Sequence, residues 1–293
     1  GRRTRARARV DGQAHLARPD DKWLPVGLLP HRLQGRPALE ITRDGLKGFY
    51  TTPSADDPGQ RRVVDAIEAR VDEEGLVHVR RRVTRHGLRA YARRDDWAEL
   101  KPDELDKKLR DRVHWSGERK LNIESVALHN KKDRDKPLIA EYVYTVDNMV
   151  ALSRDEAVLE LKGLLSSTAR HDDIKENKKR YRPLRSYAGH IHERRIELSF
   201  PEEWTIDEVP GEVAFDNELG RVERTCETPG PGRLTVTIRR QMASFDLPAS
   251  RYPDLVALLG KNKELDVSAL VFRTAPRPPA SSPAADDAGD EEE

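Results

Sequence analysis

Apolar and polar positions alternate with a period of two over much of this chain. In the first segment, Ala6, Ala8 and Val10 fall on one side and Arg5, Arg7 and Arg9 on the other, running into Asp11–Gly12. That pattern predicts a half-buried strand ended by a tight turn. A basic arm for nucleic acid is the rival reading of the same arginines; the strict alternation favours the strand. Pro25, Pro30 and Pro37 punctuate the stretch that follows. Proline removes a ladder donor and disfavours helix before it, so this is an extended connector. Trp23, Leu24, Leu28 and Leu29 are placed to pin it to a domain surface.

Residues 61 to 92 read as a β-meander. Ile67, Ala69 and Val71 alternate with Glu68, Arg70 and Asp72, and Asp72 to Gly75 makes the turn. Val77, Val79 and Val83 line one face of the return strand, with Arg80 and Arg82 on the other. Gly87 turns the chain again, and Leu88, Ala90 and Ala92 continue the alternation as a further strand. Successive antiparallel strands with one polar face fit this pattern. A helix is predicted near 102–113. Pro102 suits its first turn, Asp103 and Glu104 follow, and Leu105, Leu109 and Val113 form one stripe. Strand patterning returns at Ile123–Leu128 and Leu138–Val146, with the polar stretch Asn130–Lys136 as a hairpin loop. Residues 153 to 165 fit either state: Ser153 and Glu156 have capping-box spacing, yet Val158–Leu161 also fits a short buried strand. The polar segment Ser166–Lys179 reads as a boundary or exposed loop.

In the last block Ile196, Leu198 and Phe200 alternate with Glu197 and Ser199. Leu234, Val236 and Ile238 alternate with Thr235, Thr237 and Arg239. Thr228 to Gly232 is a turn cluster between them. Ser250, Pro253 and Gly260 mark a short helix near 251–259. Val267, Ala269 and Val271 predict a closing strand. The tail 276–293 is rich in Pro, Ala and Ser, then acidic, and has the composition of a disordered segment.

Composition sharpens this picture. The chain has 293 residues, enough for about two domains. Apolar residues make up 36%, below the roughly 45–50% of an ordinary globular chain, so the cores should be thin. The net charge is +1, and no global field steers the chain to nucleic acid or membrane. The single cysteine, Cys226, excludes an intramolecular disulfide and a cysteine-based zinc cluster. No apolar run is long enough to span a bilayer as a helix. No signal peptide is visible, and because the chain begins with Gly1 its start says nothing about export.

Several stretches resemble bacterial transglutaminase-like proteins, in which a papain-like core is flanked by β-rich domains of unknown function. Val10-Asp11-Gly12 resembles the turn that ends the core. Asp21-Lys22-Trp23-Leu24-Pro25-Val26-Gly27-Leu28-Leu29-Pro30 is similar to the family's connector. Phe200-Pro201-Glu202-Glu203-Trp204-Thr205-Ile206-Asp207-Glu208-Val209-Pro210 is similar to a later strand, and Leu247 to Tyr252 to the motif before the last helix. The resemblance implies β structure for Val158–Leu161. It also implies that Arg18 stands at the triad aspartate's place, that the histidine's place falls near Arg3, and that the catalytic cysteine would lie upstream of residue 1.

The expected fold class is therefore mainly β: two antiparallel β-sandwich-like domains with a few short helices. Residues 1–36 are a remnant of the core plus connector, 37–165 and 166–275 the two domains, and 276–293 the tail. No catalytic, cofactor-binding or metal-ligating residue is assigned. Arg18 cannot accept the hydrogen bond an aspartate accepts, and is expected exposed or paired with Asp11, Asp20 or Asp21. Cys226 is a lone thiol. His190 and His192 share a strand face, but the plain reading is a solvated strand start. His78, His86, His114 and His129 have no ligand spacing. Arg80, Arg81, Arg82 and Arg85 are divided between two faces by strand alternation, which favours a solvated surface over a phosphate site. The expected function is a non-catalytic binding or scaffolding region with protein or peptide partners, no cofactor and no membrane span. By resemblance it is periplasmic or in the cell envelope. The alternatives are a fragment of an active cysteine-dependent enzyme completed by an upstream half, and a nucleic-acid-binding protein using the arginine-rich strands, which is the less favoured partner.

Overall fold

The structure, a computed structural model, describes residues 6–10, 13–17, 21–30, 33–42, 44–53, 57–113, 121–161, 180–186 and 189–275. Arg3, Arg18, the Asp11–Gly12 turn, His114, the segment 166–179 and the tail lie outside these residues. The described chain is mainly β with three short α-helices, as the alternation predicts. β1 (Ala6–Val10) and β2 (Gln13–Ala17) form an antiparallel hairpin. β3 (Pro37–Thr42) and β4 (Gly45–Thr51) form a second. Between the hairpins the connector buries Leu24 and Leu29.

The centre of the molecule is one eight-stranded sheet. Its first half comprises β5 (Arg62–Val71), β6 (Val77–Arg85), β7 (Leu121–His129) and β8 (Leu138–Val146). Its second half comprises β12 (His190–Ser199), β14 (Val213–Asn217), β15 (Gly220–Glu227) and β16 (Arg233–Met242). The order is β14-β15-β16-β12-β5-β6-β8-β7. Every neighbouring pair is antiparallel except β5 and β12, which run parallel and join the halves. A four-stranded sheet is built from β9 (Val150–Leu152), β10 (Glu156–Glu160), β13 (Thr205–Ile206) and β18 (Ala269–Arg273), in the order β13-β18-β10-β9. At Glu156–Glu160 it resolves the ambiguity in favour of a strand, while 162–165 lie outside the described residues. β11 (Leu184–Ser186) pairs with β17 (Phe245–Leu247). Main-chain ladders thus cross the expected 165/166 boundary at β5·β12 and at β10·β18.

The reason for one core is visible in the register. Along one sheet face, cross-strand rows run Val146–Val77–Val71, then Tyr144–Val79–Ala69–Leu198–Leu234, then Tyr142–Arg81–Ile67–Ile196–Val236. Period two puts all of these on the same side. They join a single cluster of buried side chains with Leu159 and Phe272 of the smaller sheet and Leu255 and Leu258 of α3 (Tyr252–Glu264). Phe200 and Trp204 stack at a tilt on Phe272, with centroids 4.8 and 5.6 Å away.

One expected strand is a helix instead. Gly87 to Trp97 forms α1, where alternation of Leu88, Ala90 and Ala92 predicts a strand. The buried positions are Leu88, Ala90, Arg94 and Trp97, and 90, 94, 97 is helical spacing. The pattern is disguised because one core position is an arginine. Arg94 is 1% exposed and donates to the carbonyls of Asn130, Arg134 and Lys136, so it ties α1 to the β7–β8 loop. α2 (Pro102–Arg110) lies where it is expected. The closing strand begins at Ala269 rather than Val267.

α1 can start where it does only because its first residue is glycine. Gly87 has φ +47°, and a Cβ there would sit 2.3 Å from the Gln60 carbonyl oxygen. Gly87→Ala is expected to cost on the order of 2–3 kcal/mol through backbone strain and displacement of α1. Urea unfolding checks this: the midpoint should drop at unchanged slope, and an unchanged midpoint contradicts the close approach.

Candidate functional site: an arginine-lined cavity

Toward one end of the same sheet face the rows change character. The next is Ala140–Val83–Asp65–Arg194–Ile238, and after it Leu138–Arg85–Val63–His192–Arg240. α1 and these rows enclose a cavity of about 900 Å³. Eight arginines line it, against three aspartates: Asp65, Asp95 and Asp96. A chain of almost zero net charge therefore concentrates cations in one place.

The innermost group is Asp65, 1% exposed. Arg81 donates Nε to Oδ1 at 2.8 Å and Nη2 to Oδ2 at 2.7 Å, a bidentate pair. Arg194, the residue beside Asp65 in the parallel ladder, donates Nε to Oδ2 at 3.0 Å, with its Nη2 at 2.9 Å. Burial works to raise the Asp65 pKa, but Arg81 and Arg194 outweigh it and lower it to about 2. Burial likewise opposes the Arg81 charge, and the facing carboxylate outweighs it and raises that pKa. Arg240 donates Nε to Asn262 at 2.5 Å and pairs with Asp266 at 3.3 Å. Burial still lowers its pKa to about 10.

Other arginines of the cavity are less well compensated. Arg85 Nη1 and Arg89 Nε are buried with no hydrogen-bond acceptor among the described residues. The guanidinium carbons of Arg85, Arg93 and Arg112 stand 5.7, 5.5 and 5.7 Å from the ring centroid of Trp97, which is fully buried. The indole face attracts each cation, while the three repel one another. Arg93 has a partner in Asp96 at 3.2 Å. Burial, reinforced by Arg93 and Arg112, brings the Arg85 pKa down to about 10 despite Tyr142. Burial, with Arg61 and Arg93, lowers that of Arg89.

The two strand histidines belong here too. His190 and His192 are half-buried and line the cavity, which corrects the plain reading of a solvated strand start. Burial pushes both down to about 4, helped at His190 by Arg89 and Arg61, and at His192 chiefly by Arg194. Both are neutral imidazoles near pH 7. Alternation does divide the arginine run. Arg81 and Arg85 face the cavity, whereas Arg82 pairs with Glu141 at 3.1 Å and Arg80 lines a separate surface depression. The inward half of that run is not a solvated surface, because its face is the one covered by α1.

Cys226 is half-buried on β15, and burial pushes its thiol pKa up. His78 contacts Asp72 at 3.3 Å and His129 contacts Glu141 at 2.8 Å. No group of three or more potential metal ligands occurs among the described residues. No helix of the described residues is long and apolar enough to cross a membrane. The β3–β4 hairpin carries a different surface: Leu39 faces Phe49 and Ile41 faces Leu46 across the ladder, and all four are exposed, Phe49 by 82%.

Sequence reasoning missed Asp65, Arg89 and Arg194, and read Arg81 as part of a solvated face. Three of these four had a signal: a charged residue in phase with apolar neighbours on a strand. Asp65 is in phase with Ile67 and Ala69, Arg81 with Val79 and Val83, and Arg194 with Ile196 and Leu198.

Comparison with known proteins places part of this architecture. Residues 158–272 match a family described as a domain of unknown function with a solved structure, DUF3858. That region carries β12 and β14–β16 but not β5–β8. No curated protein matches the sequence. A crystal structure of a candidate protease from Parabacteroides distasonis is similar over 41% of this chain and 23% of that one, at 18% identity and a TM-score of 0.34. Only a small part of that protein's length is represented, and a likeness of this degree transfers neither fold nor activity.

Removing the carboxylate should unmake the seam. Asp65→Ala strands the buried Arg194 guanidinium and the part-buried one of Arg81, and is expected to cost about 3–5 kcal/mol, read as a loss of unfolding free energy in denaturant. Acid should act through the histidines first. Their pKa values are near 4 in the folded protein and about 6.5 unfolded, so the unfolded chain binds more protons between those values. Stability therefore falls as pH drops from about 6.5 to 4. Asp65 adds a further loss as pH falls from about 4 toward 2. Thermal melts across pH 7.5 to 4.5 (about the His range) should show the decline, and a His190→Gln, His192→Gln double variant should flatten it.

Proposed function

We propose that this chain is a non-catalytic binding and scaffolding region of a transglutaminase-like protein, and that the arginine-lined cavity is its principal binding site. The observation that carries this reading is the chemistry of the cavity wall. Guanidinium groups donate hydrogen bonds and hold their protons, so they bind and orient but do not act as bases near neutral pH. The histidines beside them have pKa values near 4, far from the range that suits a general base at pH 7. The thiol of Cys226 is on another strand of the sheet, and its burial disfavours the thiolate that nucleophilic chemistry needs.

The transglutaminase-like affiliation rests on the connector at 21–30 and the motifs at 200–210 and 247–252. The match of residues 158–272 to a domain of unknown function is compatible with an accessory region. The scaffolding role is supported by the sheet, whose two halves share one ladder and one core. The exposed apolar face of the β3–β4 hairpin suits a protein or peptide partner. A periplasmic or cell-envelope location follows from the affiliation alone.

Incubation of the purified chain with amide and glutamine-donor substrates is expected to give no amide hydrolysis or acyl transfer above buffer. Turnover that disappears in Cys226→Ala would overturn the non-catalytic reading.

A further inference from the structure

We propose that the cavity between α1 and the β5–β12 seam is a binding site for a compact small-molecule polyanion carrying at least two negative charges, a phosphate ester or a polycarboxylate, held by Arg85 and Arg89. This rests on the reading of the cavity as a binding site and adds what it binds.

Three observations converge. First, two arginines with unmet donors line a defined space. Arg85 Nη1 and Arg89 Nε are buried without an acceptor among the described residues, and a buried charged donor left unmade is costly. Their side chains come from different elements, β6 and α1, yet both line the same cavity. Both residues are only partly buried, so an oxyanion in the cavity can pair with either guanidinium through its accessible nitrogens. Second, the charge surplus is too large for a single carboxylate. Eight arginines face three aspartates, Asp266 pairs with Arg240 from outside the lining, and Asp65 is already shared by Arg81 and Arg194. Arg85, Arg93 and Arg112 crowd one indole at 5.5–5.7 Å. A ligand that brings several negative charges relieves their mutual repulsion, and a monoanion relieves little of it. Third, size and shape fit a small molecule. The volume is about 900 Å³, within the range of roughly 300–1,000 Å³ for small-molecule sites. Val63, Val83, Leu88 and Tyr142 give the wall apolar patches for a ligand's body. A nucleic-acid backbone asks for a stripe of cations along an open surface with bases stacked on aromatic rings. Here the cations are drawn into a cleft, and Trp97 is fully buried beneath them.

The test is calorimetric titration of the full chain with inorganic pyrophosphate, with citrate and with acetate, at constant ionic strength near 0.15 M. Saturable one-to-one binding of pyrophosphate or citrate, with acetate far weaker, is expected. A preference for pyrophosphate points to a phosphate ester, and one for citrate to a polycarboxylate. Arg85→Gln and Arg89→Gln should each weaken binding by roughly tenfold or more, the loss of a charge-assisted hydrogen bond. Arg195→Gln, on the opposite sheet face, should leave it unchanged. Folding does not confound the result. Arg85 and Arg89 leave buried donors unmet in the free protein, so the glutamine variants should melt no lower than the parent, while losing the rise in melting temperature that the polyanion gives the parent. Three results would overturn the proposal: no saturable polyanion binding, binding that both cavity variants leave intact, or binding of a single-stranded oligonucleotide that pyrophosphate does not displace. Failure of these titrations leaves the absence of turnover untouched. Turnover in a protein that still binds the polyanion would remove only the non-catalytic reading.

Discussion

A buried carboxylate holds this molecule together at its seam. Asp65 lies where two antiparallel half-sheets meet along their one parallel ladder, and it receives both guanidinium neighbours at 2.7–3.0 Å. Taking charges out of water is costly, and the attraction offsets that cost only when geometry is good and the remaining donors are satisfied. Here both oxygens are used, one by Arg81 alone and the other by Arg81 and Arg194 together. The ion cluster fixes register as well, because Asp65 and Arg194 are direct partners in the ladder. A slip of one residue would turn either side chain to the opposite face and leave the other buried alone.

The cationic cavity follows from that arrangement. Two arginines are needed to bracket one carboxylate, so the cluster itself carries a net positive charge. Asp96 and Asp266 offset part of that charge, and Arg85, Arg89 and Arg112 add to it, with Trp97 buried beside Arg85 and Arg112. The same sheet face thus runs from an apolar core at one end to a cationic cleft at the other. Neutral histidines stand at the cationic end, since imidazole can be buried uncharged where another cation could not.

Strands were largely legible from period-two alternation, because each central strand has one buried and one wet face. β5, β6, β8, β12 and β16 are found where the pattern puts them, and the helices at 102 and 252 follow from proline and stripe signals. α1 was not legible because one of its core positions is Arg94, whose burial depends on carbonyls 36 to 42 residues further along. The parallel pairing of β5 with β12 was not legible either, since a local pattern carries no record of which distant strand becomes a neighbour. The cavity was half legible. Arg81 and Arg194 sit in the apolar phase of their strands, a signal that a count of apolar residues passes over. Arg89 is on the helix that alternation misreads, so nothing local could have placed it.

The seam also sets the order in which the protein can be made. Asp65 and Arg194 are 129 residues apart in the chain. At typical rates of translation that separation corresponds to a delay on the order of ten seconds. Through that interval β5 has β6 on one side and nothing on the other, with its backbone donors and acceptors open to any passing strand. The charged group at its middle then has a second use. The Asp65–Arg81 ion pair on that face discourages a wrong strand from adding there, because an apolar side chain at that level would bury the pair without the further donor that Arg194 supplies. The feature that secures the finished sheet is, on the ribosome, a guard on its unfinished edge.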